Sequence, residues 1–169
     1  AQAFYLETHP DLTGAADFPM YWGLKKALER PSGWNEGMSD VYNALAADYL
    51  YGFDRAGDHL VTFLDNHDEG RFFGKVGKDL DRFKLGLGML YTLRGIPSIY
   101  YGTELLYSAL DDHGSMRQDF AGGWPGDKTS GFTGQGLLAD QREAQAYVRQ
   151  LGALRASNPL IGTGNFMQF

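Results

Sequence analysis

The sequence contains no cysteine, so a disulfide framework and a thiolate metal site are both excluded. Basic residues are also few: 15 lysines and arginines stand against 21 aspartates and glutamates, for a formal net charge of -6. Nucleic-acid binding needs clustered basic residues, which this sequence lacks, and neutral or cationic ligands remain open. No apolar run is long enough to cross a membrane, and the opening AQAFYLETHP lacks the charged and apolar regions of a signal peptide. We therefore expect a soluble domain or fragment, with its compartment left open.

The sequence does contain an alternation of strand-like and helical hydrophobic patterns. Short apolar runs predict three strands, at residues 15–20, 60–64 and 96–101. Apolar residues spaced three and four apart predict four helices, at 21–30, 36–50, between an Asp79 cap and Gly95, and at 139–157. The order of these elements predicts parallel strands joined by right-handed crossovers.

Between the last strand and the last helix, residues 105–138 show no regular pattern. This segment is rich in glycine, and long loops of this kind in compact domains are usually functional or disordered. Its aromatic residues, Phe120, Trp124 and Phe132, favour an ordered loop. After the last helix, residues 161–169 have the pattern of the start of a strand.

Polar residues follow the central predicted strand at once, in the order Asp65, Asn66, His67 and Asp68. Ligands of parallel α/β sheets bind at the carboxyl ends of the strands. These side chains are therefore the first candidates for a functional site.

Three blocks of sequence resemble the α-amylase family of glycoside hydrolases. They are FLDNHDEGRF at 63–72, RGIPSIYYGTE at 94–104 and HGSMRQDFAGGWPGD at 113–127. The third block is similar to the neopullulanase and cyclomaltodextrinase branch of that family, and ADFPMYW at 16–22 fits the same branch. The order and spacing of the blocks agree with the family across nearly the whole chain.

The resemblance implies an α/β fold that is a partial (β/α)8 TIM barrel, with the three predicted strands as its strands six to eight. Residues 1–158 would be the carboxyl-terminal portion of the catalytic domain, and residues 159–169 would begin a C-terminal β domain or a linker. A complete barrel needs about 250 residues. The amino-terminal half of the barrel is then a missing partner, and the exposed sheet edges would favour self-association.

The resemblance also implies roles for particular residues. Retaining glycosidases use a nucleophilic carboxylate and a carboxylic acid, which in this family lie on the fourth and fifth strands and find no matching motif here. Asp68 matches the third carboxylate, which binds sugar hydroxyls and stabilises the transition state, and His67 would donate to the same sugar. The substrate would be an α-glucan or a cyclodextrin, and the chain alone is expected to be inactive.

Two interpretations remain open for three other candidate residues, Arg117, Asp119 and Trp124. Arg117 and Asp119 either contact sugar or pair with each other. Trp124 either stacks on a sugar ring or anchors its own loop. Arg71 is expected to be an ion-pair partner inside the barrel, and Glu104 is expected to hold nearby loops through hydrogen bonds.

Two alternatives from other classes also follow from the residues. His67 followed by Asp68 is found in metal-dependent phosphohydrolases of the histidine-aspartate (HD) type, although such sites lie on helices. Alternatively, the chain is a non-catalytic sugar-binding or structural module. No metal site and no cofactor are expected in this chain, while calcium in the full-length protein, and its export, are left open.

Overall fold

A three-stranded parallel sheet lies at the centre of the fold. The computed structural model describes residues 6, 8–9, 11–29, 31, 33–34, 36–52 and 55–164. The strands run in sequence order and are β1 (Ala15–Ala16), β2 (Leu60–Thr62) and β3 (Ile96–Pro97). Ala16 lies opposite Val61, which in turn lies opposite Ile96. The parallel order predicted from the sequence is confirmed.

Helices connect and cover these strands. They are α1 (Phe18–Glu29), α2 (Met38–Ala46), α3 (Phe72–Lys75), α4 (Leu80–Thr92), α5 (His113–Met116), α6 (Ala139–Ser157) and α7 (Pro159–Thr163). Short 3-10 helices occupy Asp48–Tyr51, Ala56–Asp58 and Thr103–Leu105. The predicted bounds of α6 are confirmed, as is the Asp79 cap of α4, whose carboxylate accepts hydrogen bonds from the N–H groups of Asp81 and Arg82. Within the part of the chain that the structure describes, no helix is both long and apolar enough to span a membrane.

Several predicted bounds are wrong. The first strand ends early because Asp17 accepts a hydrogen bond from the N–H of Met20 at 3.1 Å and starts α1. The helix predicted at 36–50 divides into α2 and a 3-10 turn. Residues 161–163 are helical, not extended, because Pro159 in the first turn favours α7. The rest of the predicted final strand, 165–169, lies outside the described residues.

The main core is formed by residues of the helices α1, α2, α4 and α6. Phe83 and Leu87 of α4 are fully buried there, and Leu24 of α1 and Ala144 of α6 pack into the same cluster. This cluster joins the four helices to one another and to Leu64, just after β2. Both β1 and β3 have a neighbouring strand on one side only within the described sheet. The loops that carry the candidate site follow the carboxyl ends of β2 and β3.

Candidate active site

Asp65 fixes the chain where it leaves β2. Its buried carboxylate accepts hydrogen bonds from the N–H of Phe72 at 3.0 Å and from the Thr103 hydroxyl at 3.0 Å. These bonds tie the loop after β2 to the 3-10 helix after β3. Burial raises the pKa of Asp65, and the Phe72 N–H and the charge of Arg71 act against that rise.

Asn66 shapes the turn that presents the two candidate side chains. Its side-chain oxygen accepts hydrogen bonds from the backbone N–H of Asp68 at 2.8 Å and of Glu69 at 3.0 Å. His67 and Asp68 project from this turn with 62% and 65% of their side chains exposed, and His67 Nε2 lies 3.1 Å from Asp68 Oδ2. The first N–H of α3, that of Phe72, is bonded to Asp65 and not to Asp68. Asp65 and Asn66 thus support the turn that carries His67 and Asp68.

Arg117 joins this pair from the loop after β3. Its Nε donates to the carbonyl oxygen of His67 at 2.9 Å, and its terminal nitrogen donates to Asp68 Oδ1 at 2.9 Å. Of the two interpretations for Arg117, pairing with Asp119 is wrong, since Arg117 pairs with Asp68. Ion pairs between exposed side chains are weak, about 1 kcal/mol or less, so this contact can be exchanged for another at little cost.

Arg71 holds the segment that carries Arg117. The fully buried Arg71 side chain donates from Nε to the carbonyl oxygen of Met116 at 2.8 Å, one residue before Arg117. Its guanidinium carbon lies 4.1 Å from the ring centroid of Tyr100. Its terminal nitrogens have no hydrogen-bond partner among the described residues. The expected ion pair is thus replaced by a carbonyl contact and a cation–π contact.

The close approach of the loop after β3 to α3 also depends on a glycine. A Cβ atom on Gly74 of α3 would lie only 2.2 Å from the carbonyl oxygen of Ser108. A side chain at this position would push the backbone of residues 105–117 away from α3. The same loop is stabilised further along, where Asp112 accepts a hydrogen bond from the Ser115 N–H at 2.7 Å and caps α5.

Trp124 shows features of both of its interpretations. Its ring nitrogen donates to Asp119 Oδ2 at 2.9 Å, which anchors the loop. Asp127 accepts hydrogen bonds from the N–H groups of Gly122 and Trp124 and closes the turn. The indole is nevertheless 64% exposed, which leaves area for contact with a sugar face.

Within the described part of the chain, Glu104 does not make the hydrogen bonds to nearby loops that the sequence predicts. One of its carboxylate oxygens is buried without a hydrogen-bond partner among the described residues. Burial raises the pKa of Glu104, while backbone N–H groups at residues 102 and 104 act in the opposite direction. These contacts keep Glu104 within its own turn.

Sequence reasoning missed a cluster around Glu69. Its carboxylate accepts a hydrogen bond from the Tyr21 hydroxyl at 2.6 Å, and Lys75 Nζ lies 3.4 Å from the same oxygen. The only signal in the sequence is that Glu69 follows Asp68. Across the described ranges, no three His, Asp or Glu side chains come together as metal ligands, so the HD-type alternative gains no support.

The chain is similar to known proteins in sequence. The family model described as "Alpha amylase, catalytic domain" matches residues 30–149. A cyclomaltodextrin glucanotransferase from Bacillus sp. (strain 1-1) is 38% identical over 88% of this chain and 18% of its own length. An alpha-amylase from Niallia circulans is 30% identical over 90% of this chain and 25% of its own length.

A solved structure extends the match to the fold. The alpha-amylase from Geobacillus thermoleovorans, crystallised with acarbose, superposes with a TM-score of 0.72 and 26% identity. The superposition covers 98% of this chain and 33% of that one. The three strands and their helices therefore correspond to part of an amylase barrel. The chain spans 8% to 25% of the length of the curated relatives that it matches.

Proposed function

This chain belongs to the alpha-amylase family of glycoside hydrolases, and on that premise we propose that it acts as the carboxyl-terminal part of a larger catalytic barrel. In the full-length protein this barrel cleaves α-glucosidic bonds of starch-type glucans or cyclomaltodextrins, by retaining hydrolysis or by transfer. Relatives are an amylase and glucanotransferases, and one solved neighbour holds acarbose. The nucleophile and the general acid lie outside this chain, on preceding strands.

The observation that carries the proposal is the exposed Asp68 carboxylate at the carboxyl end of β2, with His67 and Arg117 in contact. In a retaining reaction the sugar passes through an oxocarbenium-like transition state. Asp68 accepts hydrogen bonds from hydroxyls of that sugar, and His67 donates to them. These bonds lower the barrier because they strengthen as the ring distorts and charge develops.

Arg117 and Trp124 extend the site along the glucan. Arg117 turns from Asp68 to a sugar hydroxyl when substrate binds, and the exposed indole stacks on a neighbouring sugar face. The Gly-Gly-Trp segment of this loop supports a neopullulanase or cyclomaltodextrinase type of specificity.

The test is Asp68→Asn in the full-length protein. We expect kcat to fall by about 100-fold or more, as for other groups that act on developing charge, with an unchanged melting temperature. Initial rates on cyclodextrin, pullulan and starch would measure the loss and identify the preferred glucan. Near-unchanged kinetics would remove Asp68 from the site.

Two controls complete this experiment. Asp11→Asn, at an exposed position in a turn, should leave kcat unchanged. The isolated chain should release no reducing sugar from any of the three glucans, because it lacks the nucleophile and the acid. Turnover by the pure chain would contradict the proposed location of those two groups.

A further inference from the structure

Glu69 lies next to Asp68 in the chain but is held by quite different contacts. Its carboxylate oxygen Oε2 accepts the Tyr21 hydroxyl hydrogen bond at 2.6 Å. Lys75 donates from Nζ to the Tyr21 oxygen at 2.6 Å and lies 3.4 Å from Glu69 Oε2. Three elements meet in this way: α1 supplies Tyr21, α3 supplies Lys75, and the turn after β2 supplies Glu69.

The cluster is far less exposed than the candidate site. Tyr21 is 1% exposed, and the side chains of Lys75 and Glu69 are 8% and 24% exposed. The ring of Tyr21 also stacks on Phe63 with 5.0 Å between centroids, so α1 contacts the end of β2 directly. Glu69 is thus satisfied by protein donors and is not presented to a ligand.

Charge in the cluster is balanced. Lys25 lies 4.0 Å from Glu69, and Glu29 lies 4.0 Å from Lys75, so two lysines face two carboxylates. Burial opposes ionisation of Glu69, but the Tyr21 hydrogen bond and the Lys75 charge outweigh it and lower the pKa of Glu69. Burial and the bond to Glu69 raise the pKa of Tyr21, which keeps the hydroxyl as a donor.

The turn formed by Asn66 connects the cluster to Asp68. Asn66 Oδ1 binds the N–H groups of both Asp68 and Glu69, so the two residues cannot shift independently. The exposed Asp68 carboxylate contacts only His67 and Arg117 among the described residues, both of them themselves exposed. Its direction therefore depends also on the turn that carries it, which the contacts of Glu69 hold in place.

We propose that Glu69 is a positioning residue: anchored by Tyr21 and Lys75, it fixes the turn that aims the Asp68 carboxylate at the sugar. This inference rests on the proposed function of Asp68. Small misplacements of a catalytic group are costly, since about 1 Å can lower a rate roughly 100-fold. The anchor acts on kcat because the contacts of Asp68 are strongest in the transition state.

The experiment uses Tyr21→Phe and Glu69→Ala in the full-length protein. Tyr21→Phe removes only the hydroxyl and keeps the ring on Phe63, so it leaves the core packed. We expect each variant to lower kcat roughly tenfold or more, with KM changed by no more than about twofold. Lys26→Ala, which breaks the exposed Lys26–Asp40 pair between α1 and α2, is the matched control and should leave kcat unchanged.

A double variant separates positioning from a general loss of structure. In an Asp68→Asn background, Tyr21→Phe should have no further effect on kcat, because the group that it aims is already lost. Glu69→Gln, which keeps one oxygen for Tyr21, should recover part of the rate lost in Glu69→Ala.

The outcomes distinguish this inference from the proposed function. If Asp68→Asn leaves kcat unchanged, the proposed function itself fails. If Asp68→Asn is damaging but the Tyr21 and Glu69 variants keep full kcat, the positioning role is overturned. It is also overturned if Tyr21→Phe lowers kcat equally in both backgrounds, since that is the behaviour of a merely structural contact.

Discussion

At the scale of single residues, Asp65 and Asp68 show how neighbouring carboxylates acquire different properties. Asp65 is 3% exposed and bonded to the chain on two sides, whereas the Asp68 side chain is 65% exposed. Burial favours the neutral form of Asp65, and its donors favour the charged form. Asp65 is therefore a structural group, whereas Asp68 is exposed to solvent in the proposed site.

The raised pKa of Asp65 gives a pH dependence of known sign. A carboxyl with a raised folded-state pKa contributes stability below its unfolded value of about 3.9, and that stability is lost as pH rises through the folded pKa. Asp65→Asn in the full-length protein keeps the size of the side chain but cannot ionise. We expect the melting temperature of the wild type, relative to the variant, to fall with rising pH.

Asp112 is the matched control of opposite sign. Hydrogen bonds from the Ser115 hydroxyl and N–H lower the pKa of this exposed cap. Its stabilisation is therefore present above the unfolded pKa and lost as pH falls through the folded one. The melting temperature of the wild type, relative to Asp112→Asn, should rise with rising pH. If the melting temperature of the wild type relative to Asp65→Asn also rose with pH, the role of burial at Asp65 would be contradicted.

The sequence predicts part of this site and not the rest. His67 and Asp68 are found because they follow an apolar strand pattern, which is a local signal. The pairing of Asp68 with Arg117 joins residues 49 positions apart, across a loop without periodicity. The Tyr21–Glu69 contact likewise spans 48 positions. Such contacts depend on how elements pack, which spacing along one segment does not encode.

At the scale of elements, helices are predicted better than strands. The apolar faces of α4 and α6 extend over several turns, so their period is unambiguous. The runs at 15–20 and 96–101 are short, and there side-chain contacts decide the conformation. Asp17 turns the first run into α1, and the second bends after Pro97 towards the turn at Thr103. Strand existence was therefore predictable and strand length was not.

The cap of α4 gives a prediction at this scale. Asp79 accepts hydrogen bonds from the N–H groups of Asp81 at 3.0 Å and Arg82 at 3.1 Å, at the start of the helix that fills the core. Asp79→Ala in the full-length protein should lower the free energy of unfolding by about 1 kcal/mol, measured by denaturant titration. Asp79→Asn retains an acceptor oxygen and should be close to the wild type. If both variants lost the same stability, the effect would come from the charge near the helix end and not from capping.

At the scale of the whole molecule, the chain is one part of a barrel with two open sheet edges. The order β1-β2-β3 leaves β1 and β3 at the edges of the described sheet, and Ile96 of β3 is 49% exposed. Large apolar side chains elsewhere are also exposed, including Trp34 and Tyr49 at 94% and 80%. In the proposed full-length barrel, the amino-terminal half supplies the missing strands. In isolation, the same edges and apolar surface favour contacts between copies of the chain.

We therefore expect the isolated chain to self-associate, with an average mass that increases with concentration in sedimentation experiments. Ile96→Lys places a charge on the β3 edge and should reduce this association, because a lysine at an unpaired edge must be desolvated when a second strand pairs with it. Leu160→Lys removes a comparable exposed apolar side chain, 78% exposed on α7, and is the matched control. If the edge drives association, only Ile96→Lys shifts the chain towards the monomer. If both variants act equally, general apolar exposure is the cause, and a monomer at all concentrations would contradict the role of the edges altogether.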